Sequence, residues 1–279
     1  MSYAYKVTPG QKVKLSDYDP EDTGGVKHDK AKDELADLNE RLTTLQDMHY
    51  AAGQSAVLMV LQAPDTGGKD GTISHVMAQF NPAGCRVESF KTPTSEELAH
   101  DFLWRVHKVT PSKGDITIFN RSHYEQVLVV RVHELEPEKV WQRHYEQINN
   151  FESLLADSGT IIMKFFLHIS KDEQRKRLLA REDDKDKTWK LSASDWPEHA
   201  LFDDYIAAYE DALSRCSTDH APWYIVPANH KWFRDLAVAR AIVDTLESHK
   251  ETWREELRKR GTEALAASKA SRSDDDPKK

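Results

Sequence analysis

Apolar residues follow two rhythms along this chain. Short runs dense in apolar residues occur at Ala56–Val60, Ile116–Phe119, Thr160–Ile169 and Trp223–Val226, and Cys85–Phe90 reads as a further short strand. The four apolar runs are short enough for strands and too apolar for half-exposed ones, which predicts strands buried on both faces. Between them the spacing changes to three and four. Leu35, Leu38, Leu42 and Leu45 predict an amphipathic helix from Asp29 to about Tyr50. Further helices are predicted over Ile73–Phe80, Ser95–Val109, Tyr124–Leu135, Pro137–Ser158, Lys171–Lys190, Ser192–Cys216 and Lys231–Leu246. Their stops are legible as well: Asn81-Pro82-Ala83-Gly84 ends one helix, Pro137 opens another and Ser158-Gly159 closes it. Thr94 before Glu96-Glu97, and Ser170 before Asp172-Glu173, read as helix N-termini.

Five strands separated by helices predict an α/β domain, a five-stranded parallel sheet flanked by helices on both faces. A single domain is expected over residues 1–267. Residues 1–28 form an irregular arm rich in Pro, Gly and Asp, and 268–279 a disordered tail without apolar side chains.

Charge narrows the partners. The chain carries 39 basic and 47 acidic residues, an excess of acid that argues against a general nucleic-acid binder. No stretch reaches the roughly 18 apolar residues of a membrane span. Cys85 and Cys216 are the only cysteines and have no metal-ligand spacing, which suits a cytoplasmic protein. Assembly of several copies is left open.

The candidate chemistry lies after the first strand, where Ala63-Pro64-Asp65-Thr66-Gly67-Gly68-Lys69-Asp70-Gly71-Thr72 leads into a helix. A strand, a glycine-rich turn ending in Gly-Lys and a helix make a phosphate cradle of backbone N–H groups. The match to Gly-x-x-x-x-Gly-Lys-Ser/Thr is imperfect, since Ala63 replaces the first glycine and Asp70 the hydroxyl residue. Asp65 repels phosphate unless a magnesium ion bridges the two. A second polar cluster, Asn120-Arg121-Ser122, ends the Ile116–Phe119 strand, where open α/β sheets bind ligands. Arg121 suits a forked phosphate contact, or alternatively a structural ion pair.

Together these motifs resemble the second family of polyphosphate kinases. The resemblance rests on Leu-Gln-x-x-Asp-x-x-Gly-Lys-Asp-Gly-Thr-Ile from Leu61, on Phe90 to Arg105, and on Phe-Asn-Arg-Ser-His-Tyr-Glu from Phe119. It continues in Lys187 to Ser192, Asp203-Asp204-Tyr205 and Ala221 to Pro227 with Lys231-Trp232-Phe233. It implies a P-loop kinase fold of the thymidylate-kinase-like kind with a helical lid at 171–192. It further implies magnesium-dependent transfer, with manganese as a substitute, between inorganic polyphosphate and AMP, ADP or ATP. Asp65 is then the metal ligand, and Asp65, Lys69 and Arg121 carry catalysis. Thr66, Gly67, Gly68, Asp70, Gly71, Thr72, Arg181 and Lys190 become candidate polyphosphate contacts. Lys91, Arg105, Asn120, Glu125 and Arg131 become candidate nucleotide contacts. The setting of Asn120 is similar to the branch called class III, which accepts both AMP and ADP. An ATP-dependent P-loop kinase, or a silent nucleotide-binding module, stays open because of Ala63, Asp70 and Asn120.

Overall fold

A computed structural model describes residues 3–186 and 188–274. The strands are β1 (Tyr5–Lys6), β2 (Ala56–Gln62), β3 (Cys85–Ser89), β4 (Ile116–Asn120), β5 (Thr160–His168) and β6 (Trp223–Pro227). They form one sheet in the order β1-β6-β5-β2-β4-β3, parallel throughout except for β1. The sheet therefore has six strands rather than five. The extra one lies inside the N-terminal arm expected to be irregular, where Tyr5 pairs with Ile225 and Lys6 with Tyr224. Two residues are too few to show an alternation, but they cover the otherwise open edge of β6.

Every residue of β2 is buried, as its unbroken apolar run requires. One face of the sheet is covered by α1 (His28–Ala52), α2 (Lys69–His75), α10 (Lys231–Glu247) and the first turns of α11 (Lys250–Asp274). The other is covered by α6 (Glu138–Asp157), α9 (Phe202–Cys216) and the turns around Tyr124 and Val127. Leu38, Leu42 and Leu45 of α1 are buried as their spacing predicts.

Several predicted helices are broken. Ser95–Val109 becomes α3 (Ser95–Leu98), capped reciprocally by Thr94 and Glu97, and α4 (Trp104–His107). Asp101 interrupts them by accepting a hydrogen bond from the Leu103 amide. The stretch after Tyr124 is a 3-10 turn followed by α5 (Val129–Val132). The segment after Ser192 divides into α8 (Asp195–Ala200) and α9. Conversely, α11 runs to Asp274, so residues 268–274 are helical and not disordered; 275–279 lie outside the described residues. Ala264, Ala266, Ala267 and Ala270 favour helix without help from packing.

Candidate active site

Parallel pairing of β2 with β4 sets Leu61 opposite Asn120, so the two polar clusters emerge side by side at the carboxyl end of the sheet. The loop from Ala63 to Gly68 folds back on itself, with the Gly67 amide donating to the Pro64 carbonyl at 2.9 Å. A Cβ at Gly67 would stand 2.5 Å from Ala63 Cβ and 2.8 Å from Pro64 O, so only glycine fits. Gly68 turns with φ +103°, and its bare Cα faces the buried guanidinium of Arg234 from α10. Arg234 is held by Asp235, which accepts from Nε at 2.8 Å and Nη2 at 2.6 Å.

Lys69, first residue of α2, reaches back across the loop to the Ala63 carbonyl at 3.0 Å. Burial, and then the neighbouring charge of Arg121, lower its pKa from the ordinary lysine value. Arg121 leans over from the end of β4, donating from Nη2 to Asp65 Oδ1 at 2.8 Å, with Glu125 3.7 Å from Nη1. Burial raises the pKa of Glu125, against the lowering pull of Arg121 and Lys69. Beside this pair, Asn120 donates to Asp70 Oδ1 at 2.9 Å. Thr66 and Arg121 both have left-handed backbones, φ +60° and +61°. Such strain costs about 1–3 kcal/mol per residue and gathers at functional sites.

The structure thus brings Asp65, Thr66, Gly67, Gly68, Lys69, Asp70, Asn120, Arg121 and Glu125 into one neighbourhood. Thr72 is buried and turned to the Gly68 carbonyl, with Gly71 beside it on Arg234. Lys91 and Arg105 meet at a separate depression of about 240 Å³, where Arg105 donates to the Lys91 carbonyl at 2.9 Å and lies over the Phe90 ring. Arg131 is engaged elsewhere, with Asp211 at 2.6 Å, Tyr145 at 3.2 Å and the Trp141 ring. Arg181 pairs with Asp195 at 3.4 Å, tying α7 (Lys171–Asp183) to α8. The side chain of Lys190 lies outside the described residues.

Three anchors were missed in the sequence. Gln174 donates to the Asp65 carbonyl at 3.0 Å, and Arg177 donates to the Thr66 carbonyl at 3.0 Å, so the first half of α7 grips the loop from outside. Arg177 read as one more charge in a run of eight basic and six acidic residues from Lys171 to Lys190. Nothing in the sequence pairs Arg234 with Gly68, because the two lie far apart along the chain and meet only where α10 packs against α2.

The donors around the loop bear on whether a metal could be held there. Among the described residues no three His, Cys, Asp or Glu side chains cluster to hold an ion. Asp65 Oδ1 accepts from Arg121, while its Oδ2 accepts no hydrogen bond among the described residues. One free carboxylate oxygen beside a phosphate cradle fits magnesium, which usually takes one or two carboxylates together with substrate phosphates.

Fold and site define a P-loop phosphotransferase-like protein: a parallel sheet, a lysine-bearing phosphate loop and an arginine facing it. Comparison with known proteins narrows this further. The family model for Polyphosphate kinase 2 matches residues 25–254. The AMP/ADP-polyphosphate phosphotransferase of Meiothermus ruber is 53% identical over 245 residues, covering 87% of this chain and 92% of the relative. The ADP-polyphosphate phosphotransferase of Rhodopseudomonas palustris is 48% identical over 238 residues, 81% and 82% of the two chains. The crystal structure of polyphosphate kinase 2 from Arthrobacter aurescens superposes with a TM-score of 0.83 at 41% identity, covering 89% of this chain and 92% of that one. The chain belongs to the polyphosphate kinase 2 family. No helix among the described residues is long and apolar enough to cross a membrane.

Proposed function

We propose that this protein transfers the terminal phosphoryl group of inorganic polyphosphate to AMP and to ADP, forming ADP and then ATP. The observation that carries this reading is Arg121 facing Asp65 at 2.8 Å across a loop that also holds Lys69. Two cations converge there on the mouth of a phosphate cradle. Similarity to relatives named for AMP and ADP supports the choice of acceptors.

The acceptor in this reaction is itself a phosphate, whose last ionisation lies near about pH 6. It reaches neutral pH already anionic, so the site needs no general base. The barrier is the approach of two anions in line. One opposite-charge contact at 4 Å contributes roughly 4 kcal/mol at an effective dielectric near 20, so a few fixed cations decide the rate. In this reading the loop amides of Thr66 to Gly71 and Lys69 hold the donor phosphates. Arg121 binds the transferring group from the opposite wall, and Asn120 and Glu125 border it. Lys91 and Arg105 present positive charge to the acceptor from the neighbouring depression. Asp65 would hold magnesium, or manganese in its place, which supplies further neutralisation of phosphate charge when bound. Within the segment 171–192, the part beyond Arg177 would act as a lid that excludes water, with Arg181 and Lys190 on its basic edge. A cytoplasmic location goes with these substrates.

A nucleotide-product assay with AMP, polyphosphate and magnesium tests the reading. ADP followed by ATP is expected. Accumulation of ADP alone would refute the dual acceptor range, and activity with ATP plus a nucleoside but none with polyphosphate would refute the donor.

A further inference from the structure

Directly after Arg121 the chain turns into the interior, and Ser122, His123 and Tyr124 are all buried. Each is hydrogen-bonded inward. Ser122 Oγ accepts from Gln62 Nε2 and from the Tyr124 amide, both at 3.1 Å. Gln62 ends β2, so this contact joins the root of the phosphate loop to the root of Arg121. His123 Nε2 pairs with Glu152 Oε1 at 3.1 Å, and the Tyr124 hydroxyl donates to the same oxygen at 2.9 Å. Lys164 completes the network, donating to Glu152 Oε2 at 2.5 Å, the Tyr124 hydroxyl at 2.8 Å and the Cys216 carbonyl at 2.6 Å.

Glu152 on α6 and Lys164 on β5 are 0% exposed. Burial pushes the Glu152 carboxyl up, but the Lys164 ammonium and the His123 hydrogen bond outweigh it and hold it below the ordinary carboxylate range. An ion pair so deep is a poor stabiliser, because well-packed apolar residues of similar size do as well or better. What it offers instead is direction: apart from the bond of Lys164 to the Cys216 carbonyl, its bonds outside the pair go to His123 and Tyr124, and the Tyr124 amide in turn holds Ser122 Oγ. Arg121 itself sits in a left-handed conformation that persists only where its surroundings over-determine it. Its own amide adds one bond, to the Leu61 carbonyl at 3.1 Å.

We infer that the Glu152–Lys164 pair is a positioning device for Arg121, fixing Ser122 to Tyr124 so that the guanidinium is held against the phosphate-loop wall. The inference rests on the proposed role of Arg121 in transfer. A positioning role affects the rate of the chemical step, whereas a packing role affects stability alone.

The test replaces both charges together, Glu152→Leu with Lys164→Met, so that neither is left buried and unpaired. It reads kcat, KM for AMP and for polyphosphate, and thermal stability, in the parent protein and in an Arg121→Ala background. The expected result is a folded variant with unchanged KM values and kcat lowered about 10- to 100-fold, the scale of a misplacement of about 1 Å. In the Arg121→Ala background the same replacement should change kcat by less than about twofold. Parental kcat in the paired variant overturns the inference, and so does an equal loss in both backgrounds. Should Arg121→Ala alone retain parental kcat, the proposed role of Arg121 fails and this inference with it. Glu152→Gln with Lys164→Met, which removes both charges yet keeps an acceptor for His123 and Tyr124, carries the same two-background test if the first paired variant does not fold.

Discussion

Gly68→Ala is the substitution whose cost the structure specifies most fully. The added methyl would lie 3.1 Å from Cζ of Arg234 and closer still to Nη1, while Gly68 keeps φ at +103°. Two penalties result. Forcing an alanine into that backbone conformation costs about 1–3 kcal/mol. Relieving the overlap requires Arg234 to move, and its side chain is only 2% exposed, held by two hydrogen bonds from Asp235. Fully breaking a buried pair of this kind costs about 3–5 kcal/mol, and a partial shift some fraction of that. A total near about 4 kcal/mol would lower Tm by about 8–16 °C in a chain of this size. Denaturant and thermal unfolding of Gly68→Ala, Arg234→Ala and the double variant measure the two parts separately. With Arg234 shortened, the methyl has room and only the backbone penalty remains. Gly68→Ala should therefore cost at least about 1 kcal/mol less in the Arg234→Ala background, beyond the roughly 0.5 kcal/mol scatter of independent sites. Equal costs in both backgrounds would refute the claim that the arginine dictates the glycine.

Other outcomes come from the same geometry. Lys69→Ala should reduce nucleotide phosphorylation about 100- to 1,000-fold, the scale of losing one preorganised electrostatic contact, with circular dichroism unchanged. Chelation by EDTA should abolish product formation, and added magnesium should restore it, as monitored by nucleotide chromatography. Burial lowers the pKa of His49 and of His168 from 6.5. The unfolded chain then binds protons the native one refuses, so stability falls as pH drops below about 6.5, by up to about 1.4 kcal/mol per pH unit for each histidine. Urea midpoints at pH 7 and 5.5 check the sign, and His49→Gln should flatten the slope. Thr94→Ala removes the acceptor of the Glu97 amide and should destabilise α3 by about 1 kcal/mol, read as faster local hydrogen exchange.

What was legible in the sequence depended on whether the signal was local. Four apolar runs became β2, β4, β5 and β6 because a strand buried on both faces needs no partner to declare itself, whereas β3, exposed or half-buried along its length, was read from its place after the Asn81–Gly84 stop. Asp65, Lys69 and Arg121 were legible because each sits at a fixed offset from a strand end. β1 carries no such pattern, being two residues that matter only for the edge they cover. Asp101 broke a helix through one side-chain hydrogen bond, a competition that periodicity does not record. Arg131 stood close to the site in sequence, yet α5 turns it toward Asp211 and Trp141. Gln174, Arg177 and Arg234 were invisible for the opposite reason, since they reach the loop only through the tertiary fold.

The grip of α7 on the phosphate loop sets a rule for recombining this protein with its relatives. Gln174 and Arg177 bond the Asp65 and Thr66 carbonyls, and Arg177 also donates to the Ala228 and Asn229 carbonyls. The first two turns of that helix are therefore foundation for the cradle, and only the residues beyond Arg177 are superstructure. A chimera that imports a foreign segment should be joined after Arg177 rather than at the natural-looking cap Ser170. Cut at Ser170, the graft would replace the supports of the loop along with the cover intended for exchange.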